Sequence, residues 1–154
     1  MTDFWLQHLG RPRAAARLQG SGAYPGLGGA VYFYPMASGL MVAADVYGLP
    51  GESSFFAFHI HSGGRCSGSE QEPFADAGSH YDPQGRPHPM HAGDLPPLLS
   101  DHGRALQAVW TGRLTLREVL GRTVILHANP DDLRTQPAGG AGPRIACGVI
   151  RPVR

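Results

Sequence analysis

Three features of the sequence predict one all-β domain of short antiparallel strands. The chain has 154 residues, a length that suits a single domain with a sizeable core. Its 22 glycines and 14 prolines favour turns and short strands over long helices. Short runs of β-branched and aromatic residues lie between these turns, and two long stretches carry no strand or helix pattern. This spacing indicates an antiparallel sandwich or barrel.

The predicted strands begin after residue 13. They cover residues 15–19, 30–34, 40–47, 55–61, 106–110, 123–128 and 145–150. Residues 115–120 predict a helical turn, with Thr115 as its N-cap and Glu118 in its first turn. Residues 62–103 and 129–144 are predicted to be long loops, and loops of this length in a compact domain usually carry function.

Residues 1–12 are predicted to be an N-terminal extension before a domain at residues 13–154. Phe4, Trp5 and Leu9 suit one face of a short helix that ends near Gly10. The first residues contain an early acid and no basic segment before an apolar stretch, so they do not resemble a secretory signal, and a cytoplasmic protein is expected. No apolar run reaches the length of a membrane span, and the formal charge of +1 gives no reason to expect a nucleic-acid partner.

A histidine-rich stretch lies in the first predicted loop. His80, His88, His91 and Asp94 fall within fifteen residues that are too rich in proline and glycine for a helix or a long strand. Neutral imidazoles and a carboxylate are the ligands that suit Zn²⁺. A metal ion could therefore supply the ordering energy that this loop lacks in apolar residues.

Three further histidines lie on predicted strands. His59 and His61 are one residue apart, so the period of a strand places both rings on the same face of the sheet. His127 ends another strand, where a structural role remains an alternative. Six of the eight histidines thus fall in three places, whereas His8 has no partner signal and His102 is expected in a turn. Six histidines and Asp94 are too many ligands for one tetrahedral ion, but they suit two ions if one imidazole serves both.

Six segments, in order, resemble the signature segments of the copper/zinc superoxide dismutase family. They read FHIH at 58–61, AGSHYDP at 77–83, HAGDL at 91–95, GRTVILH at 121–127, DDL at 131–133 and GPRIACGVI at 142–150. The similarity covers roughly residues 14–150 and implies an eight-stranded Greek-key sandwich or flattened barrel with two long functional loops. It also implies an antioxidant oxidoreductase that converts superoxide to O₂ and H₂O₂ by cycling between Cu(II) and Cu(I).

The resemblance implies a role for each matching residue. It places copper on His59, His61, His80 and His127, and zinc on His80, His88, His91 and Asp94. His80 is then the bridging ligand, and it supplies a proton to the second superoxide. Asp131 matches a carboxylate that holds His59 and His88, Arg144 matches the arginine that positions the anion, and Cys66 and Cys147 match an intrasubunit disulfide.

Two other functions remain open on the same fold. One is a non-catalytic copper-binding or carrier protein, although this chain keeps the histidines and the arginine that such relatives typically lose. The other is a zinc-stabilised structural module with an empty copper site. The segment between His88 and His91 is shorter than is usual in the family, and so is the one between His61 and Cys66, where the usual dimer contacts lie. A homodimer and a copper chaperone are the candidate protein partners.

We predict a weak salt dependence for the dismutation rate. The second loop lacks the lysine and glutamate cluster that better-known family members use to steer superoxide, and Arg134 is the one charged candidate for steering beside Arg144. Few long-range charges leave little attraction for salt to screen. Initial rates measured between low and high ionic strength should change little, and a steep fall would contradict the prediction.

Overall fold

The computed structural model describes residues 9–154, in which eight strands and two short helices form the domain. The strands are β1 (Ala14–Gly20), β2 (Gly28–Pro35), β3 (Leu40–Tyr47), β4 (Ser53–His61), β5 (Asp94–Asp101), β6 (Arg104–Thr111), β7 (Thr123–His127) and β8 (Arg144–Pro152). The helices are a 3-10 turn at Ala75–Ala77 and α1 at Leu116–Val119. The predicted helix of Phe4 and Trp5, and His8, lie outside the described residues. Within residues 9–154 no helix has the length and apolar character needed to span a bilayer.

The strands form a closed antiparallel barrel, which confirms the predicted fold class. Their order around the barrel is β1-β2-β3-β6-β5-β4-β7-β8, and β1 closes it by pairing with β8. The connection from β3 to β4 skips across two strands, as in a Greek key. Closure pairs both edges of every strand, so the two long loops leave a rigid wall.

Strand β5 corrects the prediction of one irregular segment at residues 62–103. The strand contains Pro96 and Pro97, which remove two backbone donors and led to its assignment as loop. These prolines lie opposite a register shift in β4, between Phe56 and Phe58, where the ladder is already interrupted. On its other side β5 pairs with β6 through Asp101. The first loop therefore covers residues 62–93, and Asp94 begins a strand.

The barrel has its apolar core inside and a second buried surface outside. Phe56, Phe58 and Ile60 of β4 point inward into the main core, as their alternation predicts. On the outer face, His59 and His61 are also buried. Strand β7 is buried along its whole length, on both faces. The loops at residues 62–93 and 128–143 close over this outer face, which is where the predicted ligands lie.

Helix α1 follows the predicted capping pattern. The Thr115 side chain accepts from the Glu118 amide, and the Glu118 carboxylate accepts from the Thr115 amide at 2.8 Å, which completes a capping box. The guanidinium of Arg122 lies 3.8 Å from the centroid of the Tyr81 ring and donates to the Ser62 carbonyl. The end of α1 is thereby joined to both ends of the first loop's outer segment.

A disulfide joins the first loop to the barrel wall. Cys66 bonds to Cys147 of β8, 81 residues away. Both half-cystines pack with Phe74, Ala77 and Ile125 in a small apolar cluster outside the barrel. The bond fixes the middle of the loop at residues 62–93 against the strand that follows Arg144.

We expect loss of this disulfide to lower the free energy of unfolding substantially. In the chain-entropy model a cross-link across about eighty residues contributes about 4–5 kcal/mol. The Cys66→Ser/Cys147→Ser protein should therefore unfold at a clearly lower denaturant midpoint than the wild type. Added reductant should lower the wild-type midpoint and leave that of the double variant unchanged. A wild-type midpoint insensitive to full reduction would contradict the prediction.

Candidate metal centre

Six buried histidines meet on the outer face of the barrel. Strand β4 provides His59 and His61, strand β7 provides His127, and the first loop provides His80, His88 and His91. The rings of His59 and His80 are the closest pair, with centroids 3.9 Å apart. His102 is remote from them, in the turn between β5 and β6, with a side chain that is 84% exposed. The structure therefore brings together the three groups that the sequence pattern predicts.

One ring nitrogen is already engaged by the protein in each of three histidines. His61 Nδ1 donates to the Gly78 carbonyl at 2.8 Å, and His127 Nδ1 donates to the Gly142 carbonyl at 3.1 Å. His59 Nε2 donates to Asp131 Oδ2 at 2.7 Å. A carbonyl or carboxylate only accepts, so each bond fixes the ring tautomer. The opposite nitrogen of each ring keeps a free lone pair.

The free nitrogens of this first group are close enough to share an ion. The ligand atoms of His59, His61, His80 and His127 all lie within 4.8 Å of one another. His127 Nε2 and His61 Nε2 are 3.4 Å apart. Among the described residues, His59 Nδ1 and His80 Nε2 are buried without a hydrogen-bond partner. Buried polar atoms normally have partners, so these orphaned nitrogens fit a metal ion that the protein is built to hold.

A second group of ligand atoms surrounds Asp94. His80 Nδ1 lies 2.8 Å from Asp94 Oδ1, and His88 Nδ1 lies 3.1 Å from Asp94 Oδ2. His91 Nδ1 lies 3.2 Å from Asp94 Oδ2 and 3.3 Å from His80 Nδ1. Four ligands of one tetrahedral zinc, each about 2.0–2.1 Å from the ion, are about 3.3–3.4 Å apart. The four side chains fit a zinc ion at these separations.

His59 and His80 both lie near the two groups, but only His80 can serve both. The ligand atoms of His59, His80, His88 and Asp94 also fall within 4.8 Å of one another. Asp131 occupies Nε2 of His59, which leaves that ring a single nitrogen to give. His80 has Nδ1 beside Asp94 and a second nitrogen, Nε2, without a partner. His80 is thus the imidazole whose two nitrogens can face two ions.

Asp131 links the two groups from behind. Its Oδ2 accepts from His59 Nε2, and its Oδ1 accepts from His88 Nε2 at 2.8 Å and from the Leu133 amide at 2.7 Å. Burial would raise the pKa of this carboxyl, but the three hydrogen bonds outweigh that effect and hold the pKa below its usual range. Asp131 is therefore an anion that fixes one ring in each group.

Burial keeps the two outer histidines neutral. Desolvation is the largest influence on both rings, and it lowers the pKa of His61 to about 2 and that of His127 to about 3. The backbone carbonyl bonds of these rings act in the opposite sense but are weaker. A neutral imidazole has the lone pair that a metal needs, so the site presents ligands and not cations at neutral pH.

Arg144 lies beside the first group in an open cavity. The guanidinium donates to the carbonyls of Phe74 at 2.6 Å and Gly78 at 2.5 Å. It lines a cavity of about 400 Å³ together with His61, His80 and His127. The carbonyls fix the planar group without neutralising it, since no carboxylate accepts from it among the described hydrogen bonds. A small anion in this cavity would meet both the guanidinium and the histidines.

Two residues near the second group were not anticipated from the sequence. The side chain of Gln136 exchanges two hydrogen bonds with the backbone of His88, and Arg113 donates to the carbonyls of Pro89 and His91. Each contact joins residues far apart in the chain. No local motif in the sequence signals it.

Comparison with known proteins identifies the family. The family model for copper/zinc superoxide dismutase matches residues 27–150. Superoxide dismutase [Cu-Zn] 2 of Aquifex aeolicus is 36% identical over 129 residues, covering 74% of this chain and 73% of the relative. The corresponding enzyme of Deinococcus radiodurans is 34% identical over 143 residues, covering 81% and 78%.

A solved structure agrees in fold. The copper/zinc superoxide dismutase of Brucella abortus superposes with a TM-score of 0.76 at 27% identity, covering 88% of this chain and 98% of that one. The matched region contains every histidine of the two groups together with Asp131, Cys147 and Arg144. From its fold, its ligand geometry and these matches, this chain belongs to the copper/zinc superoxide dismutase family.

Proposed function

We propose that this chain converts two superoxide anions and two protons into O₂ and H₂O₂. The observation that carries the proposal is the cavity in which Arg144 stands beside His61, His80 and His127. A protein that only stores or carries copper needs the histidines, but it has no need of a fixed cation at the mouth of the site. A zinc-stabilised structural module needs neither the first group nor Arg144.

The two groups of ligands suit different ions. Copper would be held by His59, His61, His80 and His127, and zinc by His80, His88, His91 and Asp94. Copper supplies a one-electron couple that oxidises one superoxide and reduces the next, whereas zinc has no redox chemistry. Asp131 fixes the tautomers of His59 and His88, so both groups keep their lone pairs aimed at the ions.

His80 is the residue that moves a proton. Its Nδ1 is held beside Asp94, so the ring keeps its place when Nε2 is released. Nε2 lies in the cavity wall, without a hydrogen-bond partner among the described residues. A proton taken up at Nε2 is therefore positioned for transfer to the second superoxide, whose reduction to H₂O₂ requires it.

Arg144 binds the anion before and during electron transfer. Its guanidinium is anchored by backbone carbonyls of the first loop, which the disulfide fixes to β8. A planar, permanently charged donor held in one orientation suits a two-atom anion better than a mobile lysine does. Its charge attracts superoxide, and its position keeps the anion next to the histidines.

Three further assignments belong to this proposal. Residues 13–154 form the catalytic domain, which is supported by the family match to residues 27–150. A homodimer is supported by Phe55 and Leu99, which pair across β4 and β5 with about half of each side chain exposed. A copper chaperone suits the burial of the first group. The cytoplasmic location stays a prediction from the N-terminal residues.

We expect His61→Ala to abolish dismutation and Arg144→Ala to lower its rate roughly tenfold or more. The first change removes a copper ligand, and the second removes the cation that attracts and orients superoxide. Metal content and dismutation rate should be measured on the same samples. Arg104→Ala, which breaks an exposed pair with Asp45 on another face, is the matched control and should stay active. A fully copper-loaded wild type without activity would instead establish a copper-binding protein.

We expect Gly139→Ala to disrupt both metal groups at once. Gly139 has a φ of +71°, and an added Cβ would lie 2.0 Å from Asp131 Oδ1 and 2.8 Å from His88 Nε2. The carboxylate would have to move away from both histidines. Titration with each metal alone should show weaker copper and weaker zinc binding. Gly140→Ala, at a φ of +62° but with open space around its Cβ, is the control for backbone strain. Equal loss in both variants would contradict the steric explanation.

A further inference from the structure

The segment from His88 to His91 carries two zinc ligands on a very short piece of backbone. Only Pro89 and Met90 separate the two histidines. Met90 is 49% exposed, so the segment gains little order from apolar burial of its own side chains. Both ligand atoms nevertheless lie within 3.2 Å of Asp94 Oδ2. Some other interaction must hold this backbone.

Gln136 holds the beginning of the segment. Its Oε1 accepts from the His88 amide at 2.9 Å, and its Nε2 donates to the His88 carbonyl at 2.6 Å. The amide side chain thus satisfies both backbone polar groups of His88, as a neighbouring strand would. Gln136 belongs to the loop between β7 and β8, which also contains Asp131. The ring and the backbone of His88 are therefore held from the same loop.

Arg113 holds the end of the segment. Its Nη1 donates to the Pro89 carbonyl at 2.9 Å and to the His91 carbonyl at 3.2 Å. Arg113 follows β6, on the opposite side of the segment in sequence from Gln136. A guanidinium that spans two carbonyls fixes the turn between them, because both acceptors must keep their spacing.

We propose that Gln136 and Arg113 are positioning residues that preorganise the zinc ligands His88 and His91 before the metal binds. The two side chains, from separate elements, satisfy backbone groups at both ends of the short segment. They replace the ordering that a longer loop would need to obtain from the metal. Zinc then binds to a site whose backbone is already in place, so it binds more tightly than to a mobile loop. This inference rests on the zinc assignment in the proposed function.

Zinc affinity of the copper-free protein tests the proposal. Competition with a chromophoric chelator should give a dissociation constant about tenfold higher for Gln136→Ala or Arg113→Ala, and up to about a hundredfold higher for the double variant. Copper affinity of the zinc-free protein should stay within about twofold of the wild type. Gln107→Ala and Arg104→Ala remove one glutamine and one arginine that contact other parts of the surface, and they should leave zinc affinity unchanged.

Two readouts separate positioning from general stability. Cobalt(II) bound in place of zinc reports ligand geometry through its visible absorption, which should change in the double variant while the thermal midpoint of the metal-free protein changes little. Arg113→Lys keeps one charged donor and should restore part of the lost affinity. Gln136→Glu keeps the acceptor for the His88 amide but loses the donor to its carbonyl, so it should not restore full affinity.

The outcomes distinguish the two levels of inference. If the wild type binds zinc, His88→Ala prevents it, and the double variant still binds within about twofold of the wild type, the positioning role is overturned and the zinc assignment stands. If the wild type binds no zinc, or His88→Ala binds it as tightly, both are overturned.

Discussion

The bridge that Asp131 makes between His59 and His88 is the interaction on which the rest of the site depends. One carboxylate accepts from both rings, and each ring belongs to a different group of ligands. The Leu133 amide holds the carboxylate in turn, and Gly139 leaves room for it. The loop at residues 128–143 therefore sets ring orientation for a strand and for the other loop at once. Without this anion both rings would be free to change tautomer.

The barrel makes this arrangement possible because its inside and outside surfaces are separate. Strand β4 alternates apolar residues toward the core with histidines toward the loops, and β7 ends in a third histidine. The rings are buried by loops and not by the core, so the cavity beside Arg144 can stay open to a small anion. The disulfide and the Arg144 hydrogen bonds then attach the first loop to the wall at two points.

Much of the fold and most of the ligands follow from local sequence patterns. Alternation in β4 predicts which face carries His59 and His61, and the capping residues predict α1. Strand β5 could not be predicted, because Pro96 and Pro97 argue against a strand until the register shift opposite them is known. Gln136 and Arg113 could not be predicted either. Their partners are backbone groups 48 and 22–24 residues away, and a backbone acceptor has no sequence signature.

The independence of the apolar core from the metal groups has a consequence for inheritance and for design. The residues that fill the barrel, such as Phe33, Phe58 and Leu98, are distinct from the histidines on its outside. Substitutions among the ligands thus leave the hydrophobic driving force for folding largely intact. Descendants could lose or rebuild the chemistry while retaining the scaffold, and an engineer could install new ligands on the same wall.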